Sequence, residues 1–186
     1  VRLNVGLHEL RGDQAHLMSK RLYLPGNPLR SCTRFHPYDR RRRALEELGV
    51  EIRDLGPTTL AVSVGRRRLK TPRRPLFIGN SGTSVRFLAA LACLADGPVT
   101  LEGDEHMQKR PMHDLLDGLR QLGIRVDCPT GCPPLTVHGG RLPKGVVTMR
   151  GDRSSQYFSA LLMAGGLADG ALEVRIDGEL VSRPYV

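Results

Sequence analysis

Apolar residues recur at two spacings along the chain, and the switches between them mark the elements. Leu115, Leu116, Leu119 and Leu122 fall on one face at helical spacing and Gly123 follows at once, so a helix is expected to stop there. Ile124 and Val126 then alternate with Arg125 and Asp127, the period of a strand. Pro133-Pro134 turns the chain into a short strand at Leu135–Val137, closed by Gly139-Gly140. Val146–Met149 predicts a further strand, Gly151–Ser155 a polar turn, Phe158–Leu167 a helix, and Leu172–Ile176 a strand after Asp169-Gly170. The same order occurs earlier. A helix ends at Leu48 before Gly49; strands follow at Val50–Ile52, Leu60–Val64 and Leu76–Ile78, then a turn, a helix over Val85–Leu94 and a strand at Val99–Leu101.

That order is carried by self-similarity in the residues themselves. Leu45–Ile52 reappears as Leu119–Val126 at an offset of 74, and Leu94-Ala-Asp-Gly97 as Leu167-Ala-Asp-Gly170 at 73. Arg110-Pro111 returns as Arg183-Pro184, again at 73. Matches at spacings that differ by a single residue imply two copies of one α/β unit. The expected organisation is one incomplete domain over 1–186. It has repeat units at approximately 43–114 and 115–186, and a basic segment at 1–42.

Composition narrows the function classes. Of the 186 residues 40% are hydrophobic, enough for a buried core, but aromatics are 4% and Trp is absent, so stacking platforms for nucleic-acid bases are scarce. The net charge of +9 points towards an anionic partner. It is unevenly placed: residues 1–75 hold 17 Lys/Arg against 7 Asp/Glu, and residues 76–186 hold 11 against 12. No run reaches the ~18 to 20 apolar residues of a membrane span and no signal-peptide core opens the chain, so a soluble, cytoplasmic protein is expected. Cys32, Cys93, Cys128 and Cys132 are too scattered for a disulfide framework. Cys128 and Cys132 have half of a metal-site spacing with no second pair. Reduced thiols and no metal are expected.

The candidate chemistry lies at two equivalent strand-to-helix turns. Gly79-Asn-Ser-Gly-Thr-Ser84 and Gly151-Asp-Arg-Ser-Ser-Gln156 each bring hydroxyls to a helix N-terminus. Unpaired N–H groups and the positive end of the helix dipole favour an anion there. Serine at such a place is also an ordinary helix cap. Arg86 one turn into the first helix and Arg153 beside the second tilt the reading towards phosphate or carboxylate.

At this point four motifs resemble a known family. Leu76-Phe-Ile-Gly-Asn-Ser-Gly-Thr-Ser-Val-Arg86, Lys109-Arg-Pro-Met112, Ser154-Ser-Gln-Tyr-Phe-Ser-Ala-Leu-Leu-Met163 and Leu180-Val-Ser-Arg-Pro-Tyr185 resemble successive motifs of the 5-enolpyruvylshikimate-3-phosphate synthases. The order and spacing fit over residues 43–186. The resemblance implies an α/β (α+β) fold of repeated βαβαββ units, as in one domain of the enolpyruvyl transferase fold. It implies a shikimate-pathway reaction, in which the enolpyruvyl group of phosphoenolpyruvate passes to the 5-hydroxyl of shikimate 3-phosphate without a cofactor. By the same resemblance Ser154, Ser155, Gln156, Ser182 and Tyr185 are expected to bind shikimate 3-phosphate. Asn80, Gly82, Arg86, Arg110 and Gln156 are expected to meet phosphoenolpyruvate, and Arg110 suits that by its planar fork of donors.

Two departures qualify the expectation. The family's Pro-Gly-Ser-Lys-Ser segment and following helix are absent: Leu24-Pro25-Gly26 continues as Asn27-Pro28-Leu29, and Lys20 is the nearest substitute for the missing lysine. A preserved length with unrelated content motivates the hypothesis that residues 4–26 were rewritten by a shifted reading frame; reading the coding DNA in all three frames and finding no family-like peptide counts against it. The chain also stops soon after the Arg-Pro-Tyr motif, so the catalytic acid and base are expected in a second domain or chain that completes the cleft, and none is assigned here. The expectation is therefore a shikimate 3-phosphate-binding half with little activity alone. Alternatives are a relative of the UDP-N-acetylglucosamine enolpyruvyl transferases and a non-catalytic module binding anions or nucleic acid through the Arg-rich first 75 residues. Scarce aromatics argue against nucleic acid.

Overall fold

Each repeat opens with a helix that ends in the same hydrogen-bonded motif. In the computed structural model, which describes residues 2–5, 22–23, 37–56, 59–63, 69–182 and 186, helix α1 spans Pro37–Glu47 and helix α3 His113–Gln121. Gly49 (φ +87°) and Gly123 (φ +77°) follow them in the left-handed region, which costs glycine least. The glycine N–H of each bonds the carbonyl of Glu46 or Arg120, and the next residue, Val50 or Ile124, bonds Leu45 or Leu119. These paired bonds satisfy the orphan carbonyls of a helix end. Ile124 is thereby spent on the cap, and the strand predicted from it begins only at Val126.

After its first helix each repeat runs strand, strand, strand, helix, strand. In the first these are β3 (Glu51–Gly56), β4 (Thr59–Ser63), β5 (Leu76–Phe77), α2 (Gly82–Ala92) and β6 (Pro98–Glu102). In the second they are β7 (Val126–Asp127), β8 (Leu135–His138), β9 (Pro143–Arg150), α4 (Ser155–Gly165) and β10 (Asp169–Asp177). Two further strands, β1 (Arg2–Val5) and β2 (Leu22–Tyr23), precede them. Helices α2 and α4 end two residues earlier than their apolar periodicity predicts. In both, the next residues tighten into three-residue turns: Leu94 and Ala95 bond Leu91 and Ala92, and Leu167 and Ala168 bond Ala164 and Gly165.

Sheet pairing ties the repeats together. β5 runs parallel to β6 and β9 parallel to β10, so α2 and α4 are the crossovers of two β–α–β units. β6 pairs antiparallel with β8 of the other repeat, giving the order β5-β6-β8-β7. β10 pairs in the same sense with β1, and β2 with β4. The register Val99↔Val137↔Val126 and Leu101↔Leu135 turns one face of the four-stranded sheet inward. On the other face the Thr100 and Thr136 hydroxyls bond at 2.9 Å. The core beneath holds Leu88, Leu101, Leu115, Leu116, Leu119, Phe158 and Leu161, all almost fully buried.

For function, the main consequence is that α2 packs on α4. The two serine-bearing turns are brought side by side. No helix among the described residues is long and apolar enough to cross a membrane. Lys20, residues 6–21 and 24–26 of the atypical segment, and Tyr185 lie outside the described residues.

Candidate functional site

The two turns look alike in sequence and differ in what their serines do. At α2, Ser81 is an ordinary N-cap, accepting from the Ser84 N–H at 3.3 Å and sharing a 2.6 Å hydroxyl contact with Ser84. At α4, Ser154 occupies the N-cap position with extended backbone, yet its side chain makes no capping bond. Among the described residues no side chain caps the first turn of α4, where the Tyr157 N–H bonds the Ser154 carbonyl at 3.2 Å, and Ser154 lines a pocket of about 430 Å³. Capping thus accounts for the first turn and not for the second.

That pocket is lined by Thr83, Arg153, Ser154, Ser155, Gln156, Ser159 and Ser182, with Phe87 and Val181 as its apolar part. Ser182 reaches it because the segment after β10 folds back over the β9–α4 turn. Val181 N–H bonds the Gly151 carbonyl at 3.0 Å, and a Cβ at Gly151 would lie 2.5 Å from the Glu179 carbonyl oxygen. Ser182 itself has φ +54°, the left-handed value of a non-glycine residue, a conformation that costs about 1–2 kcal/mol and that clusters at functional sites.

Charge around the pocket is partitioned by pairing. Arg150 donates to both Asp152 oxygens, at 3.2 and 2.6 Å, and this holds the Asp152 carboxyl below the usual carboxylate range. Arg153, 4.0 Å from Asp152, lines the pocket. None of the described residues lining it is a carboxylate. The pocket therefore suits an anion, and its described lining offers no carboxylate as general acid or base.

Gln156 joins this pocket to a second cluster. Its Nε2 donates to Thr83 Oγ1 at 3.2 Å, and its Oε1 accepts from Arg86 Nη1 at 2.6 Å. Arg86 lies over the Tyr157 ring, 5.0 Å from its centroid, and its Nε is buried without a hydrogen bond. Arg110 donates through Nε and Nη2 to Asn80 Oδ1, at 3.1 and 2.9 Å. A Cβ at Gly82 would lie 3.0 Å from Arg110 Nη1 and 3.6 Å from Arg86 Nη1. Asn80, Gly82, Arg86 and Arg110 therefore converge, with two guanidinium groups facing a residue that has no side chain.

Of the residues singled out in the sequence, Ser154, Ser155, Gln156 and Ser182 meet in the pocket, and Asn80, Gly82, Arg86, Arg110 and Gln156 in the adjoining cluster. Sequence reasoning did not name Thr83 or Ser159 as site residues. Each had a signal: Thr83 is in the first turn, and Ser159 lies one helical turn beyond Ser155. In the Arg-rich first part, Arg42 donates to Glu46, Asp54 and the Ile52 carbonyl. Arg74 pairs with Glu47, Arg53 with Glu51, and Arg40 lies over Phe77. Much of the basic charge described there is engaged within the protein.

The family model for EPSP synthase (3-phosphoshikimate 1-carboxyvinyltransferase) matches residues 36–186. A 3-phosphoshikimate 1-carboxyvinyltransferase of Rhizobium etli is 47% identical over 137 residues, 73% of this chain and 32% of that protein. One from Pseudomonas syringae pv. tomato is 41% identical over 145 residues, 77% of this chain and 34% of that protein. The chain spans about a third of the length of these relatives. Among solved structures, EPSP synthase from Acinetobacter baumannii superposes with a TM-score of 0.61 at 25% identity, over 75% of this chain and 39% of that one. The enolpyruvyl transferase NikO from Streptomyces tendae shares the fold, with a TM-score of 0.53 at 24% identity over 74% of this chain and 30% of that one. Motifs, paired crossover helices and relatives converge: the chain belongs to the EPSP synthase (3-phosphoshikimate 1-carboxyvinyltransferase) family.

Proposed function

We propose that this chain forms the shikimate 3-phosphate-binding part of a cytoplasmic enolpyruvyl transferase of the shikimate pathway. The phosphate of that substrate sits at the N-terminus of α4, on Ser154, Ser155 and Ser182, with Arg153 at its edge. One observation carries this: Ser154 is at the N-cap, lines the pocket and does not cap. A dianion would supply what the helix end lacks, accepting from its N–H groups and from the hydroxyls. Phosphoenolpyruvate takes the adjoining cluster of Asn80, Gly82, Arg86 and Arg110, where two guanidinium groups meet an unobstructed turn. Gln156, bonded to both sides, lies between the two substrates.

In this reading the 5-hydroxyl oxygen bonds to C2 of phosphoenolpyruvate, giving a tetrahedral adduct that then expels phosphate. The pocket and the adjoining cluster orient one anion each. In the addition the hydroxyl gives up its proton and C3 gains one as the C2–C3 double bond opens. In the elimination C3 gives a proton back as the C2–O bond to phosphate breaks. Since none of the described lining residues is a carboxylate, these transfers are assigned to carboxylates of a further domain or chain. Calorimetric titration with shikimate 3-phosphate tests the binding half. The chain should release heat on binding, and the double variant Ser154→Ala/Ser155→Ala should not. Equal heats from both proteins would remove the assignment.

A further inference from the structure

Tyr157 stands between the two arginines of the proposed phosphoenolpyruvate cluster and touches the setting of each. It is 4% exposed, and a buried phenol needs a partner for its hydroxyl. The partner is the carbonyl of Pro111, accepting at 3.0 Å, in the residue directly after Arg110. On the other side the Tyr157 ring carries the Arg86 guanidinium at 5.0 Å. Arg86 has its Nη1 bound to Gln156 and its Nε buried without a hydrogen bond. The ring face gives that buried edge a cation–π contact.

The segment that delivers Arg110 is held by its own turn, with the Gln108 N–H on the Asp104 carbonyl, and by the buried Met107 and Met112. Asp104 accepts from the N–H groups of His106 and Met107, Arg110 N–H bonds the Met107 carbonyl, and Met112 N–H bonds the Gly131 carbonyl. Between those anchors the Pro111 carbonyl is fastened by Tyr157. Helix α4 is thereby bonded to the residue next to Arg110, whose guanidinium donates to Asn80.

We infer that Tyr157 is a positioning residue for both arginines, acting on Arg110 through its hydroxyl and on Arg86 through its ring. The inference rests on the phosphoenolpyruvate reading above. The two contacts are separable, because Tyr157→Phe removes the hydroxyl and keeps the ring, while Tyr157→Leu removes both.

The test compares the unsubstituted chain with these two variants by NMR of the arginine Nε–H groups. Each protein is also titrated with shikimate 3-phosphate alone, then with phosphoenolpyruvate in its presence. In Tyr157→Phe the Arg110 signal should shift and exchange faster with water, while the Arg86 signal stays. Phosphoenolpyruvate should bind about threefold to tenfold more weakly, the worth of one neutral hydrogen bond, with shikimate 3-phosphate affinity changed less than about twofold. In Tyr157→Leu both arginine signals should move. Arginine signals unchanged in Tyr157→Phe, or equal weakening of the two ligands, would overturn the role of Tyr157. Absence of phosphoenolpyruvate heat in the unsubstituted chain would instead refute the subsite, and this inference with it.

Discussion

Gly82→Ala separates the two halves of the proposed site. Gly82 is the first residue of α2 and its φ lies outside the left-handed region, so alanine fits the backbone there. In a helix it gains up to about 1 kcal/mol over glycine. The cost falls on the ligand. The new methyl carbon would sit 3.0 Å from Arg110 Nη1, 3.5 Å from its Cζ and 3.6 Å from Arg86 Nη1. The first contact is tight enough that Arg110 must give by a few tenths of an ångström, and the methyl occupies the gap where both guanidinium groups would meet an anion. Loss of one charge-assisted hydrogen bond is worth about 1.5–3 kcal/mol, or roughly 10- to 150-fold in affinity. Thermal melting and titration with each ligand check this. The variant should melt no lower than the parent, bind shikimate 3-phosphate within about twofold, and lose phosphoenolpyruvate by at least about tenfold. Equal weakening of both ligands, or undiminished phosphoenolpyruvate binding, would refute the geometry.

Two further outcomes follow from local features. Ser182→Gly relieves a left-handed φ of +54°, so it should raise stability by about 1 kcal/mol while weakening shikimate 3-phosphate; a variant that is less stable and binds equally well would show that the strain serves the fold alone. Burial pushes the Cys93 thiol from 9.0 up to about 12. The folded state then keeps a proton that the unfolded chain loses above pH 9, so this contribution is intact below that pH and falls away as pH rises towards 12, by up to about 1.4 kcal/mol per pH unit. Denaturant melts of the protein and of Cys93→Ala from pH 8 to 11 should show the steeper decline in the parent, and parallel curves would contradict it.

Much of the fold is legible because the repeat is written in residues whose roles are local. Leu45 and Leu48, like Leu119 and Leu122, bury a helix face, and the following glycine can only be a cap. The alternation at Leu135 and Val137 names an inward face without reference to any partner. The site was legible as two hydroxyl turns, but not which serine caps. That choice depends on side-chain direction: Ser81 turns back to Ser84, whereas the Tyr157 N–H is met by the Ser154 carbonyl, with no bond from the hydroxyl. Bonds between Gln156 and Thr83 or Arg86, and between Tyr157 and Pro111, join residues far apart in the chain. They exist only once α4 packs on α2 and on the segment around Pro111, so no spacing in the sequence announces them.

The central claim is that the N-terminus of α4 receives the phosphate. Titrating shikimate 3-phosphate into the ¹⁵N-labelled chain and following backbone amide signals tests it most directly. The account predicts that the largest shifts fall on residues 153–157, with Thr83 and Ser182 close behind, and that they saturate together. Shifts concentrated instead on the arginines of α1, with residues 153–157 unmoved, would contradict it.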